Sequence, residues 1–310
     1  MRTAFFETLV DLAATDERVF LLTGDLGFGA VENFARRYPS RFVNVGVAEQ
    51  NMTGVATGLA LSGKIVFTYS IANFPTLRCL EQIRNGPCYH RANVKIVSIG
   101  GGFVYGPLGM SHHATEDLAV MRALPNIAVL APGDAFETRA ATASLIRSPG
   151  PAYLRLGRAG EPLVHQGPVT IQIGQALKLR DGRDLTLIST GGMLATAAAV
   201  AGQLDRDGIS CRLLSMHTVK PLDVAAVVAA ASETRRVVTI EEHSIIGGLG
   251  GAVAEVMAEL EGRIAPLTRI GLPSAFASHA GSRDFLANEY GLSEGGILKT
   301  VKALLERTPC

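Results

Sequence analysis

Short β-branched segments alternate with helical segments along the whole chain, and this alternation constrains the fold more than any other feature. The predicted strands cover residues 19–23, 41–45, 64–69, 94–99, 127–130, 152–156, 185–189, 210–215, 237–241 and 268–271. The predicted helices cover residues 3–14, 31–38, 49–62, 115–122, 135–147, 193–204, 223–231, 250–260 and 294–305. Strands that alternate with helices pair in parallel, because each crossover helix returns the chain to the same end of the sheet. The sequence therefore predicts an α/β fold.

A break in the alternation divides the chain. Between residues 157 and 174 the periodicity disappears, and glycine and proline become frequent. A chain of 310 residues is long enough for two domains, each with its own core. We therefore expect two doubly wound domains with mostly parallel sheets, residues 1–160 and 181–310, joined by a linker over residues 161–180.

The composition argues against several classes of partner. Charged residues make up 18% of the chain and the net charge is +1, so nothing favours binding to nucleic acid or to an anionic membrane. The longest apolar stretches are far shorter than the roughly 20 residues that cross a bilayer, and the N-terminal residues show no signal-peptide pattern. Cys79, Cys88, Cys211 and Cys310 form no CxxC pair, which is typical of reduced thiols. We expect a cytoplasmic protein.

Glu49 is the strongest candidate for a catalytic group. It lies in the segment NVGVAEQNMTGVATGLA, residues 44–60, between a predicted strand and a helix rich in glycine and alanine. This segment contains no lysine or arginine, and we expect Glu49 to lack a cationic partner. Burial disfavours the charged form of a carboxyl group, which makes Glu49 a candidate for holding or donating a proton near neutral pH. The alternative is a solvated glutamate at a helix N-terminus, where the helix dipole favours negative charge.

Four further segments, taken in order and with their spacing, carry a family resemblance. They are GVAEQNMTGVATGLA (46–60), LRCLEQIRN (77–85), SHHATEDLAVMRALPNIAVLAPGDAFE (111–137) and IEEHSIIGGLGGAV (240–253). Together they resemble the C-terminal half of transketolases, which comprises the pyrimidine-binding domain and the C-terminal domain of these thiamine-diphosphate enzymes. The β-subunits of 2-oxo-acid dehydrogenases and the deoxyxylulose-phosphate synthases share this module.

The resemblance implies a set of residues that bind thiamine diphosphate. Glu49 matches the glutamate that shares a proton with N1′ of the aminopyrimidine and so promotes loss of the thiazolium C2 proton. Phe74 resembles the aromatic residue that stacks on this ring, with Tyr69 and Ile71 as neighbours in the same wall. Asp25 matches an acid near the thiazolium and the dimer contact. A core position for Phe74, and an ordinary strand-end role for Asp25, are the alternatives.

The resemblance also implies residues that contact the substrate. His112 matches the active-site histidine of the family, His113 follows it, and a histidine suits proton transfer near neutral pH. Their alternative is a helix N-terminus without a catalytic role. Arg158 matches the arginine that binds the substrate phosphate, Arg2 matches a second one, and a guanidinium grips such an anion with two hydrogen bonds. Leu108 stands where the family has an aspartate that contacts the substrate C2 hydroxyl.

Departures from the family pattern predict a non-standard substrate. Besides Leu108, Gly100 replaces a histidine that meets the donor's terminal hydroxyl, and Gly29 replaces a serine that contacts the phosphate. Leucine cannot accept a hydrogen bond, and a site built around a polar contact discriminates strongly when that contact is lost. We therefore do not expect ordinary specificity for xylulose 5-phosphate and ribose 5-phosphate.

Other polar residues are expected to have structural roles. Arg155 is interpreted as the solvated end of a strand. Glu241, Glu242 and His243 fall in the second domain and indicate structural or interface positions. No metal site is predicted in this chain, because adjacent histidines strain the coordination geometry and no third ligand is obvious.

A missing motif predicts a partner subunit. Family members hold the diphosphate and Mg²⁺ with a GDG motif and a later asparagine, whereas here Gly24-Asp25 continues Leu-Gly-Phe. A second polypeptide carrying GDG…N should therefore bind the diphosphate and Mg²⁺ (or Ca²⁺). The resemblance implies an α2β2 enzyme with active sites at the interface, and self-association through the same module.

The resemblance implies a split transketolase that moves a two-carbon ketol unit from a ketose donor, bearing a phosphate or similar anion, to an aldehyde acceptor. The first alternative is a β-subunit of a 2-oxo-acid dehydrogenase or acyl-transferring thiamine enzyme, which the loss of the aspartate favours slightly. The second is a non-catalytic scaffold subunit. Retention of Glu49, Phe74 and His112 argues against a scaffold.

Overall fold

A computed structural model describes residues 1–262 and 264–306 as two α/β units. The strands are β1 Val19–Thr23, β2 Phe42–Asn44, β3 Ile65–Ile71, β4 Val94–Ile99, β5 Ala128–Leu130, β6 Ala152–Leu156, β7 Leu177–Arg180, β8 Leu185–Ser189, β9 Cys211–Ser215, β10 Thr218–Lys220, β11 Val237–Ser244 and β12 Leu267–Leu272. The helices are α1 Arg2–Thr15, α2 Glu32–Arg37, α3 Glu49–Leu61, α4 Leu80–Ile83, α5 Asp117–Ala123, α6 Ala135–Arg147, α7 Leu194–Arg206, α8 Val224–Glu233, α9 Leu249–Ala258, α10 Arg283–Glu289 and α11 Glu294–Glu306. Within these described residues, no helix is long and apolar enough to cross a membrane.

The strands form two mostly parallel sheets, which confirms the predicted fold class. The first sheet has the order β10-β5-β6-β4-β3-β1-β2, and only β10 runs antiparallel to its neighbour. The second has the order β12-β11-β8-β9-β7, and only β7 is antiparallel. Helices cover both faces of the first sheet, so its central strands are buried on both sides and read as continuous apolar runs.

The structure contains two strands and two short helices that the sequence does not predict. Strand β7 lies inside the predicted linker, and it adds an edge to the second sheet. Strand β10 follows β9 in sequence but pairs with β5 of the first sheet, so the chain crosses between the sheets there. Helices α4 and α10 have only 4 and 7 residues. A four-residue helix such as α4 is little longer than one turn, so its hydrophobic pattern cannot repeat.

The side chains of β3 alternate between the two faces of the first sheet. Phe67 and Tyr69 point toward α1 and pack into its apolar core, whereas Val66 packs into the core on the other face, beneath α3. Ser70 has the same parity as Val66 and reaches the first residue of α3. Because successive residues of a strand alternate between faces, this register decides which side chains can meet at the carboxyl end of β3.

A buried charge network joins the two units. Arg155, at 4% exposure, donates from Nε to Asp117 Oδ2 at 2.8 Å and from Nη2 to the carbonyls of Ala114 at 2.7 Å and Glu242 at 3.0 Å. The Tyr153 hydroxyl donates to the same carboxylate at 2.5 Å. The interpretation of Arg155 as a solvated strand end is therefore wrong. Its side chain turns into the protein and binds groups that other segments bring to it.

The acidic run of β11 is also structural. Glu242 pairs with Arg283 at 2.6 Å and accepts a hydrogen bond from the N–H of Phe103 at 2.8 Å. Glu241 accepts from the N–H groups of Leu249 and Gly250 at 2.7 and 2.8 Å, at the start of α9. Burial raises the pKa of Glu241 to about 7.

Replacement of Asp117 should destabilise the protein strongly. The change Asp117→Ala leaves the Arg155 guanidinium buried without its counter-charge, and such a loss costs about 3–5 kcal/mol of unfolding free energy. Urea unfolding of the purified chain measures this. The control is Glu7→Ala, which breaks the half-exposed pair with Arg139 and should leave the unfolding midpoint nearly unchanged. Equal effects of the two changes would contradict the assignment.

Because of Lys95, we expect the unfolding free energy of the protein to vary with pH in the alkaline range. Its Nζ donates to the carbonyls of Ser148 and Gly150 at 2.7 and 2.6 Å, and burial lowers its pKa from 10.5 to about 7. Between these values the unfolded chain binds more protons at this site than the folded chain, so the Lys95 contribution to stability rises with pH. In urea unfolding between these pH values, Lys95→Met should remove this increment relative to the wild type. The control Lys178→Met, on the surface, should retain it.

Candidate active site

Glu49 lies at the first position of α3, beside the carboxyl ends of β1 and β3, and is 1% exposed. A Cβ at position 24 would lie 3.3 Å from Glu49 Cγ and Oε1, so a larger residue there would press on this carboxylate. The Ser70 hydroxyl lies 3.4 Å from Oε1, a long contact. The chain thus places a carboxylate in a narrow space between the end of β1 and the start of α3.

Arg78 pairs with this carboxylate, so the expectation that Glu49 lacks a cationic partner is wrong. Nη1 of Arg78 lies 2.7 Å from Glu49 Oε2, and the arginine side chain is 42% exposed. Arg78 comes from the 3₁₀ turn Leu77–Cys79, which precedes α4. Its guanidinium carbon also lies over the Phe74 ring, 4.2 Å from the centroid. The segment around Arg78 carries part of the family resemblance, but no pattern in that segment indicates a role for the arginine.

His112 completes a chain of contacts that starts at Glu49. The Phe74 and His112 rings are 5.2 Å apart between centroids and meet edge to face at 67°. The Ser111 hydroxyl lies 3.1 Å from His112 Nδ1. We call Glu49, Arg78, Phe74 and His112 the Glu49 cluster.

His113 points away from this cluster. Its side chain is 3% exposed, and Nε2 lies 3.2 Å from the carbonyl of Gly106. Its ring packs edge to face on Phe103 at 5.1 Å, and its own carbonyl accepts from Asn73 Nδ2 at 2.6 Å. These contacts hold the loop that carries His112.

Tyr69 and Ile71 do not join the wall predicted around Phe74. Both lie on the α1 face of β3, opposite to Ser70. The Tyr69 ring packs against Phe5 at 6.3 Å and Phe6 at 4.8 Å. The period of two within the strand separates them from Glu49, and this signal was present in the sequence.

Asp25 lies at the carboxyl end of β1, next to Gly24. Its backbone is left-handed, with φ 56°, and its side chain is exposed. The carboxylate accepts a hydrogen bond from Asn44 Nδ2 at 2.9 Å, while Asn44 Oδ1 accepts from the Asp25 N–H at 3.0 Å. This reciprocal pair fixes the β1 loop at the edge of the Glu49 cluster.

Arg2 and Arg158 meet at a second place, which we call the anion cleft. The cleft has a volume of about 390 Å³ and is lined by Arg2, Ile99, Tyr105, Arg158 and Ala159. The N–H of Arg2 donates to the Arg158 carbonyl at 2.8 Å. Neither guanidinium forms an ion pair with an acidic residue of the part of the chain that the structure describes. Two unpaired cations at one cleft favour an anionic ligand.

Leu108 lies outside the lining of the anion cleft. It ends the 3₁₀ turn Gly106–Leu108 and is 57% exposed. Met110, two residues on, is 55% exposed. These apolar side chains border the loop of His112 and present no hydrogen-bonding group there.

The Glu49 cluster fits one end of thiamine diphosphate. A buried carboxylate and an adjacent aromatic ring suit an aminopyrimidine, which offers ring nitrogens and a flat face. The diphosphate end needs a metal site, and the described residues contain no group of three His, Cys, Asp or Glu side chains that could hold a metal. The groups of the Glu49 cluster thus suit the pyrimidine end of the cofactor.

Family models match both halves of the chain. The model described as transketolase, pyrimidine binding domain, matches residues 1–160. The model described as transketolase, C-terminal domain, matches residues 174–297. Glu49, Phe74, His112 and the arginines of the anion cleft all fall within the first match.

Individual relatives match over nearly their whole length. A subunit of the apulose-4-phosphate transketolase of Phocaeicola vulgatus is 39% identical, over 99% of this chain and 97% of the relative. The 6-deoxy-6-sulfo-D-fructose transketolase subunit SqwH of a Clostridium species is 37% identical, over 99% of this chain and 95% of the relative. A solved structure described as a split gene transketolase, inactive beta4 tetramer, has a TM-score of 0.90 at 39% identity and covers 99% of both chains. The predicted resemblance is confirmed, and this chain belongs to the transketolase family.

Proposed function

We propose that this chain is the pyrimidine-binding subunit of a split, thiamine-diphosphate-dependent transketolase. It transfers a two-carbon ketol unit from an anionic ketose donor to an aldehyde acceptor. The observation that carries the proposal is the Glu49 cluster: a carboxylate at 1% exposure pairs with Arg78, Arg78 lies over the Phe74 ring, and this ring meets His112. Near-complete alignment with transketolase subunits supports it.

Glu49 acts on the cofactor through one oxygen. Oε2 is held by Arg78 at 2.7 Å, whereas Oε1 has only the long 3.4 Å contact with Ser70. Oε1 is therefore the atom that shares a proton with the pyrimidine nitrogen. When bound, thiamine diphosphate supplies the electron sink for breaking and making the carbon–carbon bond. The protein orients the ring and controls this proton.

His112 is the proposed proton carrier for substrate hydroxyls. Its ring is half-buried beside Phe74, and Nδ1 faces Ser111 at 3.1 Å. Nε2 has no hydrogen-bond partner among the described residues, so it can face the substrate. A neutral imidazole can then accept a proton and return it within one turnover. We assign His113 to positioning this loop rather than to proton transfer.

A second polypeptide is proposed to complete the site in an α2β2 enzyme. It carries the GDG…N motif and binds the diphosphate through Mg²⁺ (or Ca²⁺). Large apolar side chains stand exposed on the loops around the Glu49 cluster, and they suit burial under another chain; they are Phe28, Val47, Leu77, Leu108 and Met110. The related structure that is described as an inactive tetramer of β chains agrees with activity that requires a partner.

The proposed donor is an anionic ketose other than the common pentose phosphates. Arg2 and Arg158 supply positive charge at the anion cleft, and Leu108 supplies no polar contact for a C2 hydroxyl. The names of the relatives specify apulose 4-phosphate and a sulfofructose, both of which carry an anionic group. We place the enzyme in the cytoplasm, in keeping with the free thiols of Cys79, Cys88 and Cys211; Cys310 lies outside the described residues.

Removal of the Glu49 carboxylate should abolish most turnover. In the assembled enzyme, Glu49→Ala and the near-isosteric Glu49→Gln should both lower kcat by at least about 100-fold, because neither side chain can share the proton. Ketol transfer from a panel of ketose phosphates measures this. The control Glu81→Ala, on the exposed side of α4, should retain wild-type turnover. Turnover within a few-fold of wild type for Glu49→Ala would show that the cofactor-activation role is wrong.

Arg78 should position Glu49 and Phe74 for the cofactor. Arg78→Gln deletes the ion pair and the contact over the ring, and we expect cofactor affinity to fall about tenfold, as loss of a charged hydrogen bond predicts. Thiamine diphosphate titration of the two-subunit enzyme, followed by calorimetry, measures the affinity. The matched control is Arg84→Gln, because Arg84 contacts only Asn85 among the side chains that the structure describes. Unchanged affinity in Arg78→Gln would exclude a positioning role.

A further inference from the structure

Tyr105 occupies the space beside Gly100. Gly100 has a φ of 97°, and a Cβ on it would lie 2.3 Å from Cδ2 and Cε2 of the Tyr105 ring. The ring therefore lies directly against the backbone at position 100. A side chain at this position and the Tyr105 ring exclude each other, so the tyrosine fills room that a residue at position 100 would otherwise take.

The Tyr105 ring borders the anion cleft. Tyr105 is half-buried and lines this cleft together with Arg2 and Arg158. Burial raises the pKa of its phenol, and the charges of Arg2 and Arg158 oppose that increase. The phenol is thus close enough to both guanidinium groups to be affected by their charge.

The phenol hydroxyl has no hydrogen-bond partner within residues 1–262 and 264–306. A half-buried tyrosine normally finds a partner for its hydroxyl. The charged side chains that line the cleft with it are cations, which donate hydrogen bonds and cannot accept one. The phenol is therefore free to donate its hydrogen bond to a ligand in the cleft.

We propose that Tyr105 is a specificity-determining residue that donates a hydrogen bond to the terminal oxyanion of the donor, alongside Arg2 and Arg158. This inference rests on the proposed function and specifies its substrate class: a ketose that ends in a tetrahedral oxyanion, phosphate or sulfonate. The donors come from three parts of the chain. Arg2 supplies a guanidinium from α1, Tyr105 a phenol from the loop after β4, and Arg158 a guanidinium from the segment after β6. A tetrahedral oxyanion has three peripheral oxygens to meet them.

The arrangement shifts recognition toward the anionic end of the donor. Leu108 offers no acceptor and Gly100 no side chain, so two of the expected hydroxyl contacts are absent in this chain. The Tyr105 hydroxyl, in contrast, adds one hydrogen-bond donor to the anion cleft. A donor without the oxyanion loses the interaction with all three side chains, so its transition state is bound less tightly.

The test uses the two-subunit holoenzyme and Tyr105→Phe, which keeps the ring and removes only the hydroxyl. Inorganic phosphate and inorganic sulfate serve as binding probes in calorimetry, and a ketose phosphate and uncharged erythrulose serve as donors in turnover. We expect the phosphate Kd and the KM for the ketose phosphate to rise about tenfold, as loss of one hydrogen bond to a charged group predicts. The kcat for the ketose phosphate and the kcat/KM for erythrulose should stay unchanged. Tyr89→Phe, at an exposed tyrosine, is the control and should behave as the wild type.

Three results would overturn the inference. One is a phosphate Kd that is the same in Tyr105→Phe and the wild type, and another is a wild type that binds neither probe. The third is an equal loss of kcat/KM for both donors, which indicates general damage to the site. Calorimetry measures binding and needs no turnover. A failure of the proposed function is therefore seen separately, as a wild-type holoenzyme that transfers no ketol unit from any donor.

Discussion

The buried guanidinium of Arg155 sets the geometry on which the candidate site depends. It lies at the end of β6 and binds Asp117, at the start of α5, and the carbonyl of Ala114. Ala114 is two residues after His112, and Arg158 is three residues after Arg155. One side chain therefore fixes the separation between the histidine loop and the anion cleft. Its bond to the carbonyl of Glu242 extends this constraint to the second sheet, so a buried charge, costly in itself, holds several segments together.

The sequence predicted the strands of the first sheet well because their signal is local. β-Branched runs bounded by turn residues place β1, β4 and β6 with the observed bounds. Strand β10 could not be found in the same way, because its pairing with β5 is set by how the two units pack and not by its own residues. The position of Tyr69 could have been predicted: the alternation along β3 puts it opposite to Ser70. The prediction that Tyr69 neighbours Phe74 follows the family resemblance and does not take this strand periodicity into account.

The partner of Glu49 illustrates the limit of reasoning from neighbours in sequence. Arg78 is 29 residues away along the chain and reaches the carboxylate only because a turn after β3 brings it back over the start of α3. Its second contact, over Phe74, links the aromatic ring to the acid. A carboxylate with one oxygen fixed by a cation and the other lightly held is already oriented. Such preorganisation lowers the cost of arranging the group when a ligand arrives.

The Glu49 cluster and the anion cleft differ in their surroundings. The Glu49 cluster faces exposed apolar loops, and the described residues hold no metal group for a diphosphate. The anion cleft, by contrast, contains Arg2, Tyr105 and Arg158 of this chain. In the proposed enzyme, the second polypeptide anchors the cofactor, whereas this chain selects the charged end of the donor. If both proposals hold, substitutions around the cleft, at Gly100 or Tyr105, change the substrate without disturbing the groups that act on the cofactor.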